Sequence, residues 1–161
     1  MLEGKLRLTT VEGTGRQFVA ETGSRHAFVM DDGVGQTAPK PVEYALLALG
    51  GCTAFDVISI LRKKRQRVTR YEIEVKAEQQ EEPPTVFTRV EIKHRLWGEI
   101  DPEAVKSAIH LSETKYCAVG AMIDKTAKIE ATFEILPAGD AGSSSEAGGR
   151  RETDNRSQGS G

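Results

Sequence analysis

The sequence shows little excess of charge of either sign. Its 22 lysine and arginine residues against 24 aspartate and glutamate residues give a formal net charge of −2. Nucleic-acid-binding proteins usually carry a strong basic excess or a basic face, so we expect no nucleic-acid partner. The first residues also lack the positive start and apolar run of a secretory signal. We therefore expect a cytoplasmic protein.

Cysteine is also scarce. Cys52 and Cys117 are the only two, and they lie far apart in the sequence. Their spacing matches neither a zinc cluster nor a small disulfide scaffold. In a reducing cytoplasm, paired cysteines are more often redox or catalytic groups than structural ones. We expect no cofactor and no metal, with a zinc site from both cysteines and a histidine as the alternative.

Large apolar side chains are absent after Leu136. Residues 138–161 are mostly glycine, serine and polar or charged residues, and such a segment buries too little surface to offset its ordering entropy. The sequence therefore predicts one folded domain over residues 1–137 and a disordered tail over residues 138–161.

The hydrophobic pattern changes between period two and the helical period along the chain. It predicts strands at residues 5–11, 17–22, 27–30, 71–77, 86–96 and 129–135, and helices at residues 41–61, from 101 to 111, and from 117 to about 126. The order is β-β-β-α-β-β-α-α-β. Because strands and helices segregate in this order, the fold class is α+β with mostly antiparallel pairing.

The first predicted helix is apolar on nearly all sides. Its run over residues 44–61 is broken by Cys52, Thr53, Asp56 and Ser59. Asp56 and the Gly50-Gly51 pair argue against a membrane span, so we expect no membrane partner. A helix of this kind must be buried on all sides. One small subunit does not supply enough surface to cover it. We therefore expect a homodimer with two-fold symmetry.

Cys52 and Asp56 share one face of this helix, one turn apart. Burying a thiol and a carboxylate on an otherwise apolar helix costs free energy unless they find partners. The two side chains therefore form a candidate site. The alternative is that Cys52 packs as a small hydrophobic residue. Because a neighbouring carboxylate opposes thiol ionisation, a reactive Cys52 needs a cation nearby.

Cys117 stands at the start of a predicted helix, close to Lys115. Both features lower the pKa of a thiol, so we expect a reactive Cys117, with an inert half-buried cysteine as the alternative. Glu43 is about half a helical turn out of phase with Cys52. It is therefore expected to stabilise the helix N-terminus, unless a kink at Gly50-Gly51 turns it towards the thiol.

Residues 38–57, with Pro41, Glu43 and the Gly50-Gly51-Cys52 sequence, closely resemble the central helix of the OsmC/Ohr superfamily. The Tyr116-Cys117-Ala118-Val119 segment resembles the second landmark of that family, a cysteine at a helix start. The resemblance implies an OsmC-like fold: an antiparallel sheet, a long buried central helix, and an intertwined homodimer with active sites at the interface.

The same resemblance implies a thiol peroxidase with Cys52 as the peroxidatic and Cys117 as the resolving cysteine. Its substrate would be a small organic hydroperoxide or hydrogen peroxide, and an unknown thiol donor would regenerate it. In the family an arginine of the N-terminal hairpin and a glutamate at the helix start hold the thiolate. Arg16 is the candidate arginine, with Arg25 competing. The glutamate position is Val42 here, and Glu43 is its neighbour.

Two functional hypotheses follow from these residues. The first is a cysteine-based peroxidase of oxidative-stress defence that uses Cys52, Cys117, Arg16 and Glu43. The second is a small-molecule binding or redox-sensing protein on the same scaffold, without efficient peroxidase activity. Retention of both cysteines favours the first, and Val42 favours the second.

Overall fold

The computed structural model describes residues 1–10, 15–34 and 36–138, and it confirms the predicted α+β class and element order. The strands are β1 Gly4–Thr10, β2 Arg16–Thr22, β3 Ala27–Asp31, β4 Arg67–Gln79, β5 Phe87–Glu99 and β6 Lys128–Leu136. The helices are α1 Pro41–Lys63, α2 Pro102–Leu111 and α3 Ala118–Ile123, with a π-helical segment at Ser112–Tyr116. Of the predicted tail, residues 139–161 lie outside the described residues.

The strands form two three-stranded sheets. In the first, β2 pairs antiparallel with both β1 and β3. In the second, β5 lies in the middle, antiparallel to β4 and parallel to β6. The parallel pair requires a long connection, which α2, the π-helical segment and α3 provide. The prediction of mostly antiparallel pairing is confirmed.

Helix α1 is fixed at both ends by local chemistry. Pro41 occupies its first position, and the Glu43 carboxylate accepts a hydrogen bond from the Lys40 backbone N–H at 2.7 Å. Arg62 and Lys63 lie in its last turn, where the helix dipole favours cations. The helix is continuous across Gly50-Gly51, and a Cβ on Gly50 would lie 3.0 Å from Val75 Cγ1. Gly50 therefore permits close packing of α1 on β4.

Only one side of α1 is buried within a single chain. Leu49, Thr53, Val57 and Leu61 are buried, whereas Leu47 is 58% exposed and Phe55 is 76% exposed. The expected burial on nearly all sides is thus not met by one subunit. By length and composition α1 could span a membrane, a test that core helices of soluble proteins also pass.

The core has two parts along α1. One lies around the C-terminal half of α1 and packs against α2, with Val57, Leu61, Leu96 and Val105 at its centre. The other lies around the N-terminal half and contains Leu49, Val90, Ile92, Ala127 and Cys117. The second part brings the start of α3 against the middle of α1.

Candidate active site

The structure brings the two cysteines together from opposite halves of the chain. Cys52 is half-buried in the middle of α1, and Cys117 is 4% exposed at the start of α3. The sulfur atoms of both residues and a carboxylate oxygen of Asp56 all lie within 4.8 Å of one another. Both cysteines are free thiols. The fold therefore makes the two sulfur atoms close neighbours.

Cys117 is held by backbone and side-chain contacts on three sides. Its backbone N–H donates to the Ser112 carbonyl at 2.9 Å, which closes the π-helical segment. Its sulfur accepts a hydrogen bond from the Gly120 N–H at 3.2 Å and lies 3.5 Å from the Thr53 hydroxyl. The thiol therefore serves as the N-cap of α3 and points towards α1.

Burial raises the pKa of the Cys117 thiol above its usual value, and the Cys52 thiol adds to the rise. Hydrogen bonds from Thr53 and Gly120 act in the opposite direction but do not outweigh the burial. The predicted lowering of the Cys117 pKa is wrong. Lys115, the expected source of positive charge, lies over the Tyr116 ring, 5.4 Å from its centroid.

Asp56 finds a partner across the helix interface. The Ser112 hydroxyl donates to Asp56 Oδ2 at 3.0 Å, and Ser112 is fully buried. The helical spacing of Cys52 and Asp56 predicted that they share a face. No sequence signal identified Ser112, because its role depends on the π-helical segment that turns it towards α1.

A cavity of about 350 Å³ adjoins the Cys117 side of the thiol pair. Its wall combines apolar side chains of α1 and the second sheet with polar groups of the π-helical segment and the α3 region. The lining includes Leu49, Thr53, Ile92, Cys117, Asp124 and Ile129. The cavity can hold a small molecule of mixed polarity next to a thiol.

The charged residues expected at the thiols lie away from them in the single chain. Arg16 begins β2 and pairs with Asp32 at 3.1 Å on the exposed surface. Arg25 lies exposed in the turn between β2 and β3, with a positive φ of 65°. Glu43 caps α1, as its helical phase predicted. Within the described contacts of one chain, none of the three meets a cysteine.

Known proteins resemble the chain over most of its length. Protein YhfA of Escherichia coli (strain K12) is 39% identical over 133 residues, which cover 82% of this chain and 98% of YhfA. A hypothetical protein from Aquifex aeolicus VF5 is 27% identical, with a TM-score of 0.71, over 84% of this chain and 97% of its own.

A more distant structure shares the fold. The organic hydroperoxide resistance protein OsmC from Legionella pneumophila is 11% identical, with a TM-score of 0.62, over 83% of this chain and 96% of its own. The OsmC-like family matches residues 33–132, which include α1 and both cysteines. Together with the 39% identity to YhfA, this match shows that the chain belongs to the OsmC-like protein family.

Proposed function

We propose that the chain is a two-cysteine peroxidase that reduces small hydroperoxides. The observation that supports this most strongly is the approach of two free thiols, carried on separate elements, to within 4.8 Å. The names of distant relatives, which include organic hydroperoxide resistance proteins, support the same chemistry.

Cys52 is the cysteine that reacts first in this proposal. It is half-buried, so a hydroperoxide can reach it, whereas Cys117 is almost fully buried and its pKa is raised. The Cys52 thiolate attacks the peroxide oxygen, the O–O bond breaks, and the leaving alkoxide takes a proton to become an alcohol. Cys52 becomes a sulfenic acid.

Cys117 then resolves the sulfenic acid. Its sulfur bonds to Cys52 Sγ and displaces water, so that two thiols and one hydroperoxide yield a disulfide, an alcohol and water. An external thiol donor in a reducing cytoplasm returns the disulfide to two thiols. The short distance between the sulfur atoms limits the lifetime of the sulfenic acid and so protects it from further oxidation.

The proposal includes a homodimer built on α1. Leu47, Gly51 and Phe55 follow one another at helical spacing along a single side of the helix, and Leu47 and Phe55 are exposed in the single chain. A second copy related by two-fold symmetry would cover this stripe with the same stripe of its own. The first sheet of one subunit would then carry Arg16 towards the thiols of the other, where its charge would favour the Cys52 thiolate.

A redox-sensing or ligand-binding protein is the second candidate. The ion pair between Arg16 and Asp32, the capping role of Glu43 and the apolar Val42 favour this function, because they leave Cys52 without a charged clamp in one chain. A sensor would still form the disulfide, but slowly and without sustained turnover.

Steady-state consumption of an alkyl hydroperoxide by the reduced protein, with excess dithiol present, tests the proposal. We expect turnover by the wild type, and loss of peroxide-dependent dithiol oxidation in Cys52→Ser. Substituting Arg16 by alanine should slow the reaction, and Arg25→Ala is its matched control. A wild-type rate equal to that of Cys52→Ser would overturn the peroxidase and favour the second candidate.

A further inference from the structure

We propose that the reduced thiol pair is also a binding site for a soft divalent cation, Zn²⁺ above all, held by Cys52 Sγ, Cys117 Sγ and a carboxylate oxygen of Asp56. This inference goes beyond the proposed peroxidase and does not depend on it. Among the described residues, the third candidate ligand is Asp56 rather than the histidine considered from the sequence.

The geometry of the three ligand atoms fits a tetrahedral ion. All three lie within 4.8 Å of one another. Zinc–sulfur bonds of about 2.3 Å and a zinc–oxygen bond of about 2.0 Å place two sulfur ligands of a tetrahedral site about 3.8 Å apart and a sulfur and an oxygen ligand about 3.5 Å apart. The atoms therefore need to approach one another by about 1.3 Å or less.

The position of Asp56 is the feature that peroxide chemistry leaves without a role. Neither the attack of Cys52 on a hydroperoxide nor the resolving step at Cys117 uses the Asp56 carboxylate, although it lies beside both sulfur atoms. A divalent cation would give the carboxylate a role, since two thiolates and a carboxylate would then surround a charge of opposite sign. Thiolate sulfur with one carboxylate oxygen is a ligand set that zinc accepts.

The surroundings of the three ligands resemble the outer contacts that orient metal ligands. The buried Ser112 hydroxyl donates to Asp56 Oδ2, which leaves the other carboxylate oxygen for an ion. The Gly120 N–H donates to Cys117 Sγ, and the Thr53 hydroxyl lies beside the same sulfur. Such outer contacts fix ligand orientation and are worth tenfold or more in metal affinity.

Metal and peroxide would compete for the same two sulfur atoms. A zinc-bound thiolate pair that reacts with one hydroperoxide and two protons gives a disulfide, an alcohol, water and free Zn²⁺. The two electrons come from the two thiolates and reduce the O–O bond. Oxidation of the thiol pair would thus release the bound ion.

Cobalt titration of the reduced, metal-free protein tests the site without any peroxide. Co²⁺ is the probe because a cobalt–thiolate bond gives a charge-transfer absorption band whose intensity follows the number of sulfur ligands. We expect a band consistent with two thiolates in the wild type, about half that intensity in Cys52→Ser, and displacement of the band by one equivalent of Zn²⁺. The protein oxidised to the disulfide should give no band.

Asp56→Asn separates the proposed site from a simple dithiol, and Asp124→Asn is its control. Asp124 lines the neighbouring cavity but is not one of the three ligands, and its substitution removes the same charge. We expect affinity for Zn²⁺ to fall about tenfold or more in Asp56→Asn and to stay unchanged in Asp124→Asn. Circular dichroism of each variant checks that it is folded.

Two results would overturn the metal site. One is the absence of a thiolate–cobalt band in the reduced wild type, and the other is equal zinc affinity in wild type and a folded Asp56→Asn. Because no peroxide is present, either result leaves the peroxidase proposal intact. Conversely, a protein that binds zinc but consumes no hydroperoxide would support the metal site and contradict the peroxidase proposal.

Discussion

The Thr53 hydroxyl lies 3.5 Å from the Cys117 sulfur, although 64 positions separate the two residues in the sequence. The contact joins the buried side of α1 to the start of α3. It also opposes the rise in the Cys117 pKa that burial causes. Thr53 therefore influences how readily Cys117 becomes a thiolate.

Replacing Thr53 by valine should slow disulfide formation after Cys52 has been oxidised. Valine keeps the shape of threonine but removes the hydroxyl, and a hydrogen bond of about 1 kcal/mol corresponds to roughly a fivefold change in rate. The lifetime of the sulfenic acid, followed by quenched-flow mass spectrometry, is the measurement. Thr53→Ser keeps the hydroxyl and should retain the wild-type rate, so equal slowing in both variants would contradict this role.

His94 should make the fold sensitive to mild acid. It is fully buried in β5, its Nδ1 lies 2.6 Å from the Tyr71 hydroxyl, and burial lowers its pKa from 6.5 to about 4. Because the unfolded chain takes up this proton more readily, the contribution of His94 is complete above pH 6.5 and is lost as the pH falls towards 4. The expected loss is about 3 kcal/mol.

Chemical denaturation across this pH range checks the role of His94. In His94→Gln, which can still accept a hydrogen bond from Tyr71, the free energy of unfolding should fall less between neutral pH and about pH 4. The same substitution at the exposed His26 is the matched control. Equal pH dependence in wild type and His94→Gln would show that other groups cause the acid sensitivity.

The contact between Gly50 and Val75 sets the distance between α1 and β4. A Cβ on Gly50 would lie 3.0 Å from Val75 Cγ1, so Gly50→Ala should destabilise the fold by about 1 kcal/mol even though alanine favours a helix. In a Val75→Ala background the crowding atom is gone, and the same change should stabilise the fold. A double-mutant cycle measured by denaturation tests this reversal, and additive effects would contradict it.

The exposed stripe on α1 should control the oligomeric state. Phe55→Lys places a charge on a side chain that is 76% exposed in one chain, and removing such an aromatic from an interface costs about 2 kcal/mol per subunit. We expect the wild type to be a dimer and Phe55→Lys to dissociate in sedimentation equilibrium. Glu103→Lys, exposed on α2, is the control. A monomeric wild type would contradict the proposed dimer.

Local patterns were sufficient to predict most elements of the fold. Pro41 and the basic residues after Leu61 correctly predicted the two ends of α1. The helical spacing of Cys52 and Asp56 correctly predicted that they lie on one face. Strand β4 extends beyond the predicted 71–77 to Arg67–Gln79, because its ends pair by backbone hydrogen bonds that do not depend on apolar alternation.

Local sequence patterns did not predict the contacts between distant segments of the chain. The parallel pairing of β5 and β6 depends on the whole crossover between them. The pKa of Cys117 was predicted in the wrong direction, because Lys115 and the helix start are visible in the sequence whereas burial against Leu49 and Ile92 is not. The proximity of Cys52 and Cys117 was predicted from the family resemblance alone, because their spacing in the sequence does not indicate it.

Intact mass after brief exposure of the reduced protein to an organic hydroperoxide tests the roles of Cys52 and Cys117 most directly, with wild type, Cys52→Ser and Cys117→Ser compared side by side. We expect loss of two hydrogens in the wild type, a trapped sulfenic acid in Cys117→Ser, and no change in Cys52→Ser. A sulfenic acid on Cys117 in the Cys52→Ser variant, with Cys52 unmodified in Cys117→Ser, would reverse the two roles. No change in any of the three proteins would contradict the peroxidase itself.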